Sequence, residues 1–276
     1  EVTVVPTENL NGHPAGVAFS ITLNAGETYG MRASATNGPG HPSGTLITSN
    51  HPIAVTVSDD SVLNGACWDM MGDQIIPASL AGDEHIAVKG NLSGPDKVYL
   101  VATEDGTSVT VNGNLVTGLT LNTGETFSHN LTGTTGYYET SAPVIALHLT
   151  GFGCEVGQAI LPPISCTGSN EVAFVRSTSE FFGMKIIVPS GGEGDFLLNG
   201  SAANVGTGVF SDVPGTAGAW KYANITATGF IPTGGASRIE NSSSKFHLGI
   251  INGGAASGTR YGFFSAFTQF EHETFV

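Results

Sequence analysis

Positive charge is scarce in this chain. Lys and Arg together number 9 against 23 Asp and Glu, for a formal net charge of −14. Phosphate contacts need clustered Lys and Arg, so nucleic acid is excluded as a partner class. The same charge repels an anionic membrane surface and favours solubility. Long apolar runs are lacking too: none approaches the roughly 18 to 20 residues that cross a bilayer, so no direct membrane insertion is expected. Helix-favouring Leu, Lys, Arg, Glu and Met are sparse, whereas short runs of Val, Ile, Thr and Phe alternate with turns rich in the 39 glycines. That composition predicts an all-β fold. Charged residues make up 12% and hydrophobic residues 40% of the 276, a balance opposite to that of a disordered chain.

Chemistry-bearing motifs are equally thin. Ser43 sits in GHPSG, outside the Gly-x-Ser-x-Gly nucleophile elbow, and GTG at 206–208 lacks the Gly or Lys of a phosphate loop. None of the eight histidines stands in a His-x-His or His-Glu-x-x-His arrangement. Asp59, Asp60, Asp69 and Asp73 form the densest acidic cluster, but their spacing fits no calcium loop. No catalytic residue, metal ligand or cofactor is therefore assigned, and the chain reads as non-enzymatic.

Cysteines number three, an odd count. Cys154 and Cys166 flank the short segment GCEVGQAILPPISC and are expected to form a disulfide, with Cys67 free or paired outside the chain. The chain opens directly on the strand-like EVTVV and stops at Phe275 and Val276, which suggests an excised segment of a longer exported protein.

What the chain does have is internal repetition. LNAGETY (23–29) and LNTGETF (121–127) agree at five of seven positions. GTLITSNHPIAVTV (44–57) and GYYETSAPVIALHL (136–149) follow them, and then MGDQIIPAS (71–79) and VGQAILPPIS (156–165). Cys67 and Cys154 precede these last segments at similar distances. A fainter third copy runs from FFGMKIIVPS (181–190) through VPGTAGAW (213–220) to RIENSSSKFHLGII (238–251), where His247 matches His148. The period of about 95 residues predicts three tandem, divergent β-sandwich or barrel-like repeats, at 1–95, 96–178 and 179–276. Within them, Asn112-Gly113 and Asn199-Gly200 are expected to be tight hairpin turns. Alternation places Ile53, Val55 and Val57 on one face; likewise Ile145, Leu147 and Leu149 point inward and His148 outward.

These ordered landmarks carry a resemblance. They are similar to the N-terminal region of IgGFc-binding-protein-like sequences. GFGCEVGQAILPPISCTGSNEVAFVR (151–176), FLLNG (196–200), FSDVPGTAGAW (210–220) and FHLGIINGG…RYGFFSAF (246–267) resemble large surface proteins of Bacteroidetes-type gliding bacteria, often exported by the type IX system. The resemblance implies an extracellular, cell-surface module of adhesin or mucin-like type without enzymatic activity. Immunoglobulin Fc binding is not carried over, because no residue motif for it maps onto this chain.

Three functional readings follow. The leading one is a structural or adhesive segment whose partners are other segments of the same surface protein or like subunits. The others are a recognition module for a glycan or protein ligand, and a subunit of a surface filament or sheath. Asp60-Ser61-Val62 resembles a Bacteroidetes-type O-glycosylation acceptor, which singles out Ser61. Phe181 and Phe182, beside the second repeat junction, are expected to pack between repeats. The aromatics crowding the last third, including Trp220, Tyr261, Phe263 and Phe267, are expected to fill core.

Overall fold

The structure, a computed structural model, describes residues 1–165 and 167–266. Phe267, Phe275, Val276 and Cys166 lie outside the described residues. The fold is all-β: among the described residues the helical content is three single turns of 3-10 helix.

The N-terminal part is thinly packed. Strands β1 (Val2–Val5), β2 (Phe19–Ile21) and β3 (Leu46–Ser49) form a small antiparallel sheet in the order β2-β1-β3. A separate hairpin follows, β4 (Thr56–Asn64) and β5 (Cys67–Gln74), with a bulge between Asp59 and Val62. The expected face of Ile53, Val55 and Val57 does not form. β4 begins only at Thr56, and Ile53 and Val57 remain largely exposed, because no second layer among the described residues covers this stretch.

The central sheet comprises β6 (Gly82–Val88), β7 (Asn91–Leu92), β8 (Asp96–Ala102), β9 (Val109–Val111), β10 (Asn114–Leu115), β11 (Thr126–Leu131), β12 (Thr135–Gly153) and β13 (Glu155–Leu161). β12 is its spine. It pairs with β6 and β9 along its first half, shifts register between Glu139 and Val144, and pairs with β13 along its second half. This bend curls the sheet around a core containing Val98, Leu100, Leu131, Tyr138, Val144 and Leu161.

The C-terminal part is a sandwich. β14 (Glu171–Val175), β19 (Ala236–Asn241) and β16 (Phe196–Leu198) make one sheet. β17 (Ser211–Asp212), β18 (Trp220–Thr226), β15 (Phe181–Pro189), β20 (His247–Gly254) and β21 (Gly258–Phe264) make the other. Phe174, Phe182, Met184, Ile186, Phe196 and Phe246 fill the space between them. β15 is buried on both faces. Its opposite face carries Ile187 into a second cluster with Ile86, Val88, Tyr137, Ile164 and Val213 of the preceding part. The central sheet and the sandwich thus share an apolar layer.

Two expected hairpin turns are present. Asn112 and Gly113 have φ of 50° and 78°, and Asn199 and Gly200 repeat those values. A two-residue turn of this hand needs positive φ at both positions, which Asn-Gly supplies at low cost. Sheets run across both repeat boundaries read from the sequence. β6 and β7, before residue 95, pair with β12, and β14, before residue 178, pairs with β19. The repeat division therefore remains a reading of sequence similarity.

Candidate functional site

The hairpin β4–β5 and strand β13 come from matching segments of the first two sequence copies, and they lie against each other. Alternation along β5 turns Cys67, Asp69, Met71 and Asp73 toward β13, leaving Trp68, Met70, Gly72 and Gln74 outward. Met71 packs with Leu92, Leu149 and Val156. The two carboxylates act as a surrogate strand: Val156 N–H donates to Asp69 Oδ2 at 2.9 Å, and Ile160 N–H donates to Asp73 Oδ2 at 2.9 Å. The edge of β13 is thereby satisfied by side chains four residues apart on one face. Asn64 Nδ2 adds a 3.0 Å bond to the Cys154 carbonyl.

A disulfide seals this contact, and it is Cys67–Cys154, with Cα atoms 5.5 Å apart. The expected Cys154–Cys166 bridge is thus corrected. Docking of β5 on β13 brings the equivalent cysteines of two copies together, a proximity that spacing along the chain does not reveal. Among the described residues, one group of three ligand-type side chains is close enough to hold an ion: Cys67, Cys154 and Glu155. Two of its members are committed to the disulfide. The Glu155 carboxyl is shifted upward because its protonated form donates a hydrogen bond to the Asp69 carboxylate, with burial adding to it.

Beside the hairpin, β5, β13 and β21 enclose a cleft of about 220 Å³ lined by Asp73, Gln74, Gln158, Ile160, Tyr261 and Phe263. It is smaller than the roughly 300–1,000 Å³ of an ordinary small-molecule site. Carboxylate, carboxamides and aromatic rings in one cleft are groups that hydrogen-bond and stack on a sugar ring or a partner side chain.

Behind Tyr261 lies a buried polar chain. The Tyr261 hydroxyl donates to His148 Nδ1 at 2.8 Å, and His148 Nε2–H donates to Asp96 Oδ2 at 3.1 Å. Gly90 N–H also donates to Asp96 Oδ2, while Asp96 Oδ1, with no hydrogen-bond donor among the described residues, lies 3.8 Å from Lys89 Nζ. Lys185, buried in β15, donates from Nζ to the Lys89 carbonyl at 2.8 Å. Burial drives the His148 ring below its usual range despite Asp96, so it is neutral and needs no counter-charge. Burial pushes the Asp96 carboxyl up, but the hydrogen bonds it accepts from His148 and Gly90 N–H bring it below its usual range. Burial lowers Lys185 to about 8, against the pull of Asp96. The chain runs through β8, β12, β15 and β21, so it ties the central sheet to the sandwich.

His148 is therefore corrected from outward to inward. Val144, Ala146 and His148 face the core, because β12 is covered on both sides and Asp96 satisfies the imidazole. His247, its counterpart in the third copy, is buried as well and bonds through Nδ1 to Ser265 Oγ at 2.8 Å. The four acidic residues of the expected cluster do not converge. Asp69 and Asp73 cap β13, Asp59 meets His41 Nε2 at 2.8 Å, and Asp60 is exposed. Ser61 is exposed within the β4 bulge, its N–H donating to Asp59 Oδ1. The structure separates Phe181 from Phe182. Phe181 meets Phe152 of β12 edge-on at 5.1 Å between ring centroids, whereas Phe182 stacks on Phe174 inside the sandwich.

No helix among the described residues is long and apolar enough to cross a membrane. No curated protein and no solved structure matches the chain. A family model described as IgGFc binding protein matches residues 1–252. With that match extending over most of its 276 residues, the chain belongs to the IgGFc binding protein family.

Proposed function

We propose that the chain is a non-enzymatic, extracellular structural and adhesive segment of a large bacterial cell-surface protein of the gliding, type IX-exporting kind. The observation that carries this reading is how the parts are joined. A disulfide ties the β4–β5 hairpin to the central sheet, and the buried chain from Tyr261 to Lys185 ties that sheet to the sandwich. Such cross-ties suit a segment that projects from a surface and transmits load. The same groups that would suggest acid–base chemistry, Asp96 and His148, are fully buried. Family membership supports a binding role, and the family's name offers immunoglobulin Fc as one protein ligand to try.

A second reading, a glycan- or protein-recognition module, is favoured by the cleft at Gln158 and Tyr261. Beads coated with the chain, washed under flow over glycan arrays and immobilised Fc, test both. Retention without change to the surface is expected, and Gln158→Ala with Asp73→Ala abolishes it only if the cleft is the site. Turnover of a test substrate that one point substitution removes would overturn the non-enzymatic reading.

A further inference from the structure

The outward face of the β4–β5 hairpin has no partner among the described residues. Trp68 and Met70 are 65% and 80% exposed, and Leu63, directly opposite Trp68 in the register, is 54% exposed. Three large apolar side chains side by side on one strand pair are unusual for surface left to water. Among the described residues β4 pairs with β5 alone, so the other edge of its nine residues offers unpaired backbone groups. Asp59 and Asp60 sit in the middle of that edge strand, and Asp60 is exposed.

We propose that this hairpin is a docking surface for an extended, basic segment of another polypeptide, which adds as a strand to β4 and covers Leu63, Trp68 and Met70. Strand addition takes its affinity from backbone hydrogen bonds and its selectivity from alternate side chains. The carboxylates choose the partner. Antiparallel pairing of β4 with β4 of a second copy, centred on Asp60, sets Asp60 directly against its own counterpart with both Asp59 carboxylates one position away, and like charges opposite each other destabilise a pair. A chain of net charge −14 also repels its own copies, while it steers a Lys- or Arg-bearing segment toward this edge. The bulge at Asp59 to Val62 breaks the ladder and further discourages indiscriminate pairing. This deepens the adhesive reading but stands on its own observation: a chain that holds no bead under flow yet binds the probe below loses the first and keeps the second.

The test uses the disulfide-intact chain with Trp220→Phe, which leaves Trp68 as the single tryptophan reporter. The probe is a capped peptide of alternating Lys and Val, about eight residues and so of ordinary strand length. Its controls are the Glu–Val counterpart and a Lys–Val peptide N-methylated at alternate residues, which keeps the charge but loses the ladder. A blue shift of Trp68 emission with the Lys–Val peptide is expected. Affinity should fall about tenfold or more with N-methylation, with Asp59→Asn plus Asp60→Asn, and with Met70→Lys, the loss expected when a ladder or close charge pair goes. Equal binding of the Glu–Val or N-methylated peptide overturns the proposal, as does no binding. A dimer seen by sedimentation and removed by Met70→Lys overturns it in favour of a second copy.

Discussion

Phe181 and Phe182 are adjacent in sequence and opposite in role. Phe182 is fully buried against Phe174 in the sandwich core, so Phe182→Ala should cost about 3–5 kcal/mol, the usual figure for emptying a buried aromatic site. Phe181 touches Phe152 across the junction and is only half-buried, so Phe181→Ala should cost clearly less while loosening the sheet-to-sandwich contact. Urea titrations of the two variants check this, and equal losses would refute the division. The cysteines make a second residue-scale prediction. Non-reducing peptide mapping should recover Cys67 linked to Cys154, and Cys67→Ser should lower stability by up to about 4–5 kcal/mol, the chain-entropy figure for closing a loop of this length. The loss should be largest around β4 and β5, whose other ties to the central sheet include Asn64, Asp69, Met71 and Asp73.

At the scale of elements, the repeated LNxGET segments build the same turn twice. Asn24 N–H donates to Glu27 Oε2 at 2.8 Å and Asn122 N–H to Glu125 Oε2 at 2.6 Å, while Gly26 and Gly124 have φ of 84° and 83°. The surroundings differ. Gly26 faces open space, whereas Gly124 abuts the backbone of Gly44, where an added Cβ on Gly44 would lie 2.0 Å from the Gly124 carbonyl oxygen. Gly26→Ala should therefore cost only the backbone penalty of about 1 kcal/mol, and Gly44→Ala distinctly more, as thermal melts of the two would show. The comparison also marks what the sequence made legible. Strand-rich character, the Asn-Gly turns and the kinship of these segments follow from local chemistry, which residues close in sequence decide. The strand after the second turn forms β11, but the stretch after the first forms none, because only the second finds β8 to pair with. Alternation alone misplaces His148 for a related reason: it assigns faces relative to one another, and only tertiary packing shows that β12 is covered on both sides. The Cys67–Cys154 bridge was within reach, since the two cysteines hold equivalent repeat positions, yet equivalence does not imply contact until β5 is seen lying on β13.

For the whole molecule, the junction between central sheet and sandwich is where acid should act. His85 in β6 and His247 in β20 stand on its two sides, and burial lowers them to about 3 and about 4, with the charge of His247 adding to the effect on His85. His148 is lowered as well, by burial. A histidine whose folded value lies below its unfolded value of about 6.5 binds its proton more readily in the unfolded chain. Stability is therefore full above about pH 6.5 and falls as the pH drops toward the folded values. Lys185 and Asp96 do not offset this between pH 6.5 and 5. Lys185, at about 8 when folded, is protonated in both states there, and Asp96, lowered from 3.8, is ionised in both. Each of His85 and His247 should thus withdraw up to about 2 kcal/mol between pH 6.5 and 5, at about 1.4 kcal/mol per pH unit. Urea midpoints measured from pH 7.5 to 5 should fall along that window, and His85→Gln should flatten the slope, because it removes one of the groups that must stay neutral. Among the described residues His85 Nδ1 has no hydrogen-bond partner in its buried position, so the neutral ring gives up little when replaced by an uncharged amide. Hydrogen exchange at pH 5 should show β6 and β20 losing protection before the sandwich core around Phe182 and Phe246. A flat profile over this range, or first opening within that core, would show that the junction does not carry the acid sensitivity.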